Sequence, residues 1–360
     1  MKWAGTACLV LFLLASAQVR AEPYLAVREG FQCAQCHVDP TGGGLRSPAG
    51  ILYGQTQLPA HQLRPADSLW TGAIGTMLQL GGDLRASARF ADAPDVDSTS
   101  EFEVDEFRLY ADVSLLPQRL DLYMDEHLAP GGASNLQAFL KYTTANGEWY
   151  AKAGQFYLPY GWRLEDDGAF IRQITGVNFD SPDRGVEVGW QRSRWSAQLS
   201  LSNGAAGGVE TDNGKQLNAR LEYVPGIWRV GASGSYNDSD AGNRSLGGLF
   251  CGLRTGPVTW LGEADYIVDE GTSTGRREEW VGLLEANWLF RKGQNLKLTA
   301  EFYDPDRDVD EDEQNRFSLV WEYTPMEFVQ VRAGARAYDG IPQNSLQNRT
   351  EAFLELHGYF

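Results

Sequence analysis

Hydrophobic and polar residues alternate along most of the chain after residue 76. Within 78–90, every even position is apolar or Gly and every odd position is polar or Gly. A period of two predicts β-strands that have one apolar face. Strands of ten or more residues with a charged second face are longer than those of a soluble sandwich, and they favour an outer-membrane barrel. The apolar half of the pattern recurs at 107–115, 195–201, 280–290 and 329–337.

The connections between these strands alternate between short and long, which places the short turns on the periplasmic side and the long loops outside. The short turns lie at 117–119, 145–147, 192–194, 225–226, 254–257, 291–293 and 324–326. The longer loops lie near 92–101, 129–135, 157–183, 203–214, 237–245, 269–275, 303–314 and 339–348. We therefore predict an all-β fold over residues 76–360, a transmembrane antiparallel up-and-down β-barrel of about 16 strands that ends on the aromatic Phe360.

The first 21 residues have the pattern of a secretory signal. Lys2 precedes an apolar run at 7–14, and small residues lie just before Glu22. This run is too short to span a bilayer, and no later run reaches the ~18 apolar residues of a transmembrane helix. Export and the predicted barrel together indicate an integral protein of the bacterial outer membrane with a periplasmic N-terminus.

The chain is strongly acidic, with a formal charge of −17. Without the leader, which holds two bases, 29 basic and 48 acidic residues remain, a charge of −19. This balance disfavours nucleic acid and favours cations or basic proteins as partners. Two acidic loops, 92–106 and 303–314, either gather cations at the rim or are solvated loops held by divalent ions. The second is not an EF-hand, because Val309 and Asn315 replace the required Gly and Glu.

Residues 22–75, between leader and barrel, contain the motif Cys33-Ala34-Gln35-Cys36-His37. C-x-x-C-H is the attachment motif of a c-type haem, in which two thiols anchor the group and the imidazole binds iron. We predict one covalent haem c on Cys33 and Cys36, with His37 as the proximal ligand. A structural zinc site would need a second Cys or His pair, and a redox pair of the thioredoxin type a βαβ context; both are missing from the sequence. So short a segment cannot bury a haem alone and needs a second wall.

Three residues are candidates for the distal iron ligand, with water or an open position as the alternative. His61 lies in the same segment, which the glycines at 42–44 and the proline at 48 predict to be irregular. Met77 has the lumen-facing register at the start of the first strand, and His357 has it at the end of the last. Because barrel closure makes these two strands neighbours, Met77 and His357 are expected to flank one spot at the periplasmic mouth.

The arrangement resembles a known family. A signal peptide, one Cys33-x-x-Cys36-His37 motif and a barrel to Phe360 look like the fused monohaem cytochrome–porins of the outer membrane, the group that includes bacterial ferrous-iron oxidases. The stretch 154–161 also resembles the constriction region of phosphate-selective-type porins. The first resemblance implies thioether bonds at Cys33 and Cys36 and the proximal bond at His37. It also implies electron transfer between extracellular Fe(II), or another reductant or oxidant, and a periplasmic cytochrome c.

A solute porin with a redox-sensitive N-terminal plug or disulfide is the competing interpretation. The longest loop, 157–183, is expected to fold inward and constrict the pore. Charged positions on the lumen face would suit an aqueous channel, namely Asp83, Arg85, Arg108, Asp112, Arg220, Glu222, Arg332 and Arg336. A haem would leave Cys251 as the single remaining cysteine of the mature chain, which argues against a disulfide framework.

Overall fold

A computed structural model describes residues 22–128, 132–166, 168–178, 181–272 and 275–360. The predicted leader, 1–21, lies outside the described residues. Within the described ranges, none of the helices combines the length and the apolar composition needed to cross a membrane.

Sixteen antiparallel strands, β2 to β17, pair in chain order and close when β17 pairs with β2. This confirms the predicted barrel. A two-residue strand, β1 (Ala73–Ile74), pairs with the start of β2. The barrel strands are β2 (Leu78–Ala93), β3 (Val96–Leu116), β4 (Leu120–His127), β5 (Ser134–Thr143), β6 (Trp149–Phe156), β7 (Asp183–Arg192), β8 (Trp195–Ser202), β9 (Gln216–Tyr223), β10 (Trp228–Ser239), β11 (Gly242–Thr255), β12 (Val258–Gly271), β13 (Gly275–Arg291), β14 (Gln294–Asp304), β15 (Gln314–Met326), β16 (Val329–Asp339) and β17 (Thr350–Tyr359).

The alternation in sequence becomes an alternation between lipid and lumen. On β12, Trp260 and Ala264 are exposed on the outer surface, while Glu263 and Asp265 are buried in the lumen. The lumen face is not uniformly polar, however, because Leu261 is fully buried there. A water-filled channel would not bury apolar side chains, so something must pack against the inner wall.

Two of the connections predicted as long outer loops are tight hairpins. β2 and β3 continue to Ala93 and Val96, and β10 and β11 continue to Ser239 and Gly242, so only two residues form each turn. At the connection predicted near 269–275, β12 continues to Gly271, which pairs with Gly275 at the start of β13, so strand pairing covers most of the predicted loop. Polar residues in these stretches pair as strand extensions beyond the lipid, so their polarity marks exposure and not loop structure. At the other end the seven short turns are confirmed, with the last displaced to Glu327 and Phe328.

The N-terminal segment, 22–72, lies inside the barrel at the end that carries the short turns, here called the short-turn mouth. The amide of Ala60 donates to the carbonyl of Thr324 at 2.8 Å, and the Lys292 ammonium donates to the carbonyl of Thr56 at 3.0 Å. The segment contains α1 (Pro23–Glu29), α2 (Cys33–Cys36), α3 (Pro48–Thr56) and a 3₁₀ turn (Ala66–Ser68).

The helix α3 corrects the prediction of a wholly irregular segment. Pro48 occupies the first helical position, where no amide hydrogen is needed. The Ser47 hydroxyl caps this helix by accepting from the Gly50 amide at 3.2 Å. A proline therefore marks the start of a helix here, not a break in structure.

The connection 157–182, here called the lumen loop, folds inward as predicted. Its helix α4 (Phe170–Gln173) contacts β12, β13 and β14, and a second 3₁₀ turn (Ser345–Asn348) lies in another outer connection. Trp162 and Phe170 from the loop form one apolar cluster with Tyr24 and Val27 of α1 and with inward side chains such as Leu261. The loop and the N-terminal segment therefore meet inside the barrel and fill it.

Candidate functional site

The four-residue helix α2 presents the C-x-x-C-H motif. Gln32 and Gln35 cap it reciprocally through side-chain and backbone hydrogen bonds. One helical turn brings Cys33 and Cys36 to the same side, and the His37 amide closes the turn by donating to the Cys33 carbonyl at 3.0 Å. His37 then leaves the helix with an extended backbone. All three side chains border one cavity.

This cavity lies between the N-terminal segment and the barrel wall. The empty space inside its lining is about 1180 Å³, part of it open to solvent. One wall carries Cys33, Cys36 and His37, and the barrel contributes His357 to the lining. The second wall that the short segment requires is therefore present. Other lining residues include Arg46, Tyr53, Trp162, Arg220 and Tyr359.

The motif residues fit a covalently attached haem. In the described part of the chain, Nδ1 of His37 is buried without a hydrogen-bond partner, and a buried polar atom normally has one. Burial, with a smaller effect from Arg46, lowers the His37 pKa to about 4, so the ring is neutral, as an iron ligand must be.

The two thiols do not have the character of a redox-active pair. Burial is the main reason that the pKa of Cys33 and that of Cys36 are raised. Redox-active cysteines instead have lowered pKa values, because the thiolate is the nucleophile. Cys251, the third described cysteine, is exposed on β11, away from the cavity.

Backbone conformation brings the glycine run close to the motif. Gly42, Gly43 and Gly44 all have positive φ, the left-handed region that favours glycine. A methyl group on Gly42 would lie 3.7 Å from the Cys33 sulfur. The run thus folds back onto the motif.

Of the three distal candidates, only His357 lines the cavity. Its Nε2 lies 2.7 Å from the Asp83 carboxylate and its Nδ1 lies 3.3 Å from the Gln330 side-chain oxygen. His61 is exposed at the short-turn mouth, where its amide donates to the Pro325 carbonyl at 3.1 Å. Binding of an iron in the cavity by His61 would require this stretch to move.

The expectation that Met77 flanks His357 is wrong. β17 and β2 are neighbours, but His357 lies opposite Arg85, which is eight residues further along the chain than Met77. The stagger between strands that closes a barrel separates the first residue of one strand from the last of its neighbour. Met77 is 52% exposed and does not line the cavity.

A buried ion pair fixes the N-terminal segment to the barrel wall. The Lys152 ammonium on β6 donates to the Asp39 carboxylate at 2.9 Å and lies 3.3 Å from Glu187, with all three side chains fully buried. Burial alone would raise the Asp39 pKa, but Lys152 and the Thr41 hydroxyl lower it below its ordinary value. Arg46 forms a second link, 3.3 Å from Asp83.

The charged lumen positions predicted from sequence do face inward, but most are buried in ion pairs. Arg85 lies 3.0 Å from Glu355 and 3.2 Å from Glu165 of the lumen loop, and Arg332 pairs with the same two carboxylates. These pairs cross the lumen instead of lining a wide aqueous bore.

The lumen pairs also reach α1 through Glu22. The carboxylates of Glu22, Glu165 and Glu322 lie within 4.8 Å of one another. Burial, followed by Glu322, raises the Glu22 pKa to about 7. Lys297, 2.9 Å from Glu322, supplies a compensating positive charge.

Sequence reasoning did not assign Arg46, Trp162 or Tyr359 to the cavity, although all three line it. The alternation along β17 does predict that Tyr359 faces the lumen, on the same side as His357. For Arg46 and Trp162 the sequence offers no periodic signal, since both lie in irregular backbone. Of the two acidic stretches, 92–106 belongs to the β2–β3 hairpin and not to a loop, whereas 303–314 lies around the connection between β14 and β15.

Residues 78–255 match the family model described as phosphate-selective porin O and P. No curated protein is significantly similar in sequence. Among solved structures, OmpT of Vibrio cholerae has a TM-score of 0.63 at 12% identity, covering 79% of this chain and 99% of that one. The anion-selective porin of Comamonas acidovorans has 0.62 at 10%, covering 79% and 99%, and OprB of Pseudomonas putida has 0.63 at 10%, covering 85% and 99%.

The matched range contains the stretch 154–161, on which the resemblance to phosphate-selective-type porins rested. At these identities the solved structures establish the fold alone. The alignments cover almost the whole of each solved chain but leave part of this chain unmatched. The protein is therefore an integral porin-like β-barrel of the bacterial outer membrane, similar over residues 78–255 to the phosphate-selective porins O and P.

Proposed function

We propose that this barrel carries one c-type haem, attached to Cys33 and Cys36, and passes electrons across the outer membrane. One observation carries the proposal: the C-x-x-C-H motif and His357 of the barrel line a single cavity inside the barrel. A covalent haem supplies a one-electron centre whose potential depends on its axial ligands and surroundings. The buried lumen loop supports the proposal because it packs against α1 and contributes Trp162 to the cavity lining.

Individual residues have defined tasks in this proposal. Cys33 and Cys36 hold the group, and His37, neutral at physiological pH, is the proximal ligand. His357 is the favoured distal candidate because it lines the cavity, with Asp83 and Gln330 orienting its ring. To bind iron, the ring would exchange one of these two hydrogen bonds.

The donor and acceptor belong to the same proposal. Extracellular Fe(II), or another reductant or oxidant, would react at the acidic outer end, and a periplasmic cytochrome c would react at the short-turn mouth. An Fe(II)-oxidising cytochrome is the activity that this arrangement would support.

A solute channel with an N-terminal plug is the second candidate. It is supported by the match to the phosphate-selective porin family model and by the solved porin described as anion-selective. The N-terminal segment would then be a plug whose removal opens the pore. This candidate accounts for the barrel, and it gives Cys33 and Cys36 a task as a redox-sensitive pair or disulfide, although burial raises the pKa of both thiols.

The first experiment asks whether haem is covalently bound. The full chain is expressed with a cytochrome c maturation system and examined by haem stain and absorbance after denaturing electrophoresis. We expect a stained band that Cys33→Ala weakens and Cys33→Ala/Cys36→Ala abolishes, while the matched variant Cys251→Ala keeps it. An unstained wild-type protein, or a stain unchanged in the double variant, would refute the proposal.

A second measurement tests the distal ligand. We expect His357→Ala to change the visible spectrum and the reduction potential of the purified protein, whereas His61→Ala and Met77→Ala leave both unchanged. A spectral change in His61→Ala alone would assign the distal position to His61.

A further inference from the structure

The short-turn mouth carries a surplus of positive charge. In the described part of the chain, its turns and the neighbouring N-terminal segment present eight basic side chains and only four acidic ones. The basic residues are Arg28, Arg64, Arg119, Arg192, Arg194, Arg254, Arg291 and Lys292, and the acidic ones are Glu29, Asp67, Glu148 and Glu327.

Most of the acids at this end are already engaged. Glu148 lies 3.4 Å from Arg192, and Glu29 lies 3.7 Å from Arg28. Glu327 is buried and accepts the amides of residues 63 and 64. By contrast, the described residues place no carboxylate within 4.0 Å of the charged groups of Arg64, Arg119, Arg194, Arg254, Arg291 or Lys292.

The opposite end has the reverse charge. The hairpin at 92–103 contains five acids and no base, and the connection 304–313 contains seven acids and one base. The negative net charge of the whole chain therefore does not describe its periplasmic end, where basic side chains outnumber acidic ones. The overall charge favours a basic partner, whereas the basic residues at this end favour an acidic one.

The basic mouth surrounds the approach to the cavity. Glu29, Gln32 and Tyr53 line the cavity on this side. Leu52 and Leu63 of the N-terminal segment are 50% and 67% exposed. Apolar side chains at the centre with charged ones at the rim are typical of protein interfaces.

We propose that the short-turn mouth docks the acidic face of a soluble one-electron carrier of the periplasm. The proposal rests on the proposed function, since only a redox centre behind the mouth gives such a carrier a task. Complementary charge would raise the association rate and orient the carrier toward the cavity. Anionic lipid headgroups of the inner leaflet are the competing occupant of the basic turns.

The test compares two soluble monohaem cytochromes, one net acidic and one net basic, titrated against the detergent-solubilised full chain. We expect the acidic cytochrome to bind more tightly and its affinity to fall as ionic strength rises. The variant Arg194→Glu/Arg291→Glu/Lys292→Glu should weaken that binding roughly tenfold at low salt. The matched variant Lys215→Glu/Arg276→Glu/Arg307→Glu, which reverses three exposed outer charges, should leave it unchanged.

Three results would overturn the docking proposal. Equal affinity for the two cytochromes is the first, and equal weakening by both triple variants is the second. The third is that Arg194→Glu/Arg291→Glu/Lys292→Glu loses binding to phosphatidylglycerol vesicles but keeps its affinity for the acidic cytochrome. That result would mean that the turns bind lipid.

Repeating the titration with Cys33→Ala/Cys36→Ala separates this proposal from the proposed function. Binding measured without covalent haem reports on the docking surface alone. If the acidic cytochrome binds selectively but wild-type protein never exchanges electrons with it, the docking proposal stands and electron transfer fails.

Discussion

Lys152 is the residue on which the attachment of the N-terminal segment most depends. It is fully buried between Asp39 and Glu187, so its removal leaves two carboxylates without a counter-charge. Breaking a buried pair from one side costs about 3–5 kcal/mol. We expect Lys152→Met to speed amide hydrogen exchange in residues 38–46 about a hundredfold or more, as measured by mass spectrometry.

A surface pair supplies the control for this measurement. Lys215 lies 3.4 Å from Glu210 and is 44% exposed, so Lys215→Met should cost only about 0–1 kcal/mol. Removing both charges in Lys152→Met/Asp39→Leu should restore part of the lost protection. Unchanged exchange in Lys152→Met would show that Asp39 does not hold the segment.

For single residues, the sequence predicts which chemistry a side chain can perform but not which distant residue it contacts. The C-x-x-C-H motif is contained in five neighbouring residues, so its chemistry is readable directly. Lys152 and Asp39 are 113 positions apart, and nothing in either neighbourhood marks them as partners. His357 could be predicted as a lumen residue because the alternation along its strand is clear. Its neighbour on β2 could not be predicted, because the stagger between the two strands cannot be read from the sequence.

Among the elements, the packing of α3 against α2 determines the shape of the cavity wall. Gly50 of α3 lies so close to α2 that a methyl group would overlap the Cys36 carbonyl oxygen. That oxygen also accepts the Ser47 amide at 2.9 Å. We expect Gly50→Ala to displace α3, at a cost of about 1–3 kcal/mol, and to lower the yield of covalently attached haem.

Gly54 on the same helix is the matched control. A methyl group there would meet only a ring carbon of Tyr359 at 3.4 Å, an ordinary van der Waals contact. Gly54→Ala should therefore keep wild-type haem yield when the stained bands of the three proteins are compared at equal protein load. Equal yields from Gly50→Ala and wild type would mean that α3 is not part of the cofactor wall.

The elements themselves differ in how far sequence predicts them. Barrel strands repeat one rule, apolar outward and polar inward, so their number and order follow from periodicity. The filling of the lumen was signalled only weakly, by the run Val281-Gly282-Leu283-Leu284, which is apolar on both faces. Val281 and Leu283 pack in the cluster formed by α1 and the lumen loop. Short helices such as α3 lack any period and depend on capping residues that look like loop residues.

In the whole molecule, two segments fill the barrel from opposite ends. The N-terminal segment enters from the short-turn mouth, and the lumen loop enters from the outer end. They meet where Tyr24 and Val27 pack with Tyr160 and Trp162. Because the two segments are separate, removal of either one should leave the other in place. Neither single removal should therefore produce an open pore.

Ion conductance in planar bilayers tests this arrangement of two fillings. We expect wild-type protein to show no steady steps of porin size. A variant with 24–70 deleted should also lack these conductance steps, because Arg85 and Arg332 still hold Glu165 of the lumen loop. A variant whose loop residues 159–173 are replaced by a Gly-Ser linker should lack them too, because α1 remains in the lumen. Only the combined variant should conduct steadily, and circular dichroism must show intact β-structure in all four proteins. Large steps from the wild type would favour the solute-channel candidate, whereas conduction by the 24–70 deletion alone would show that the N-terminal segment is the single barrier.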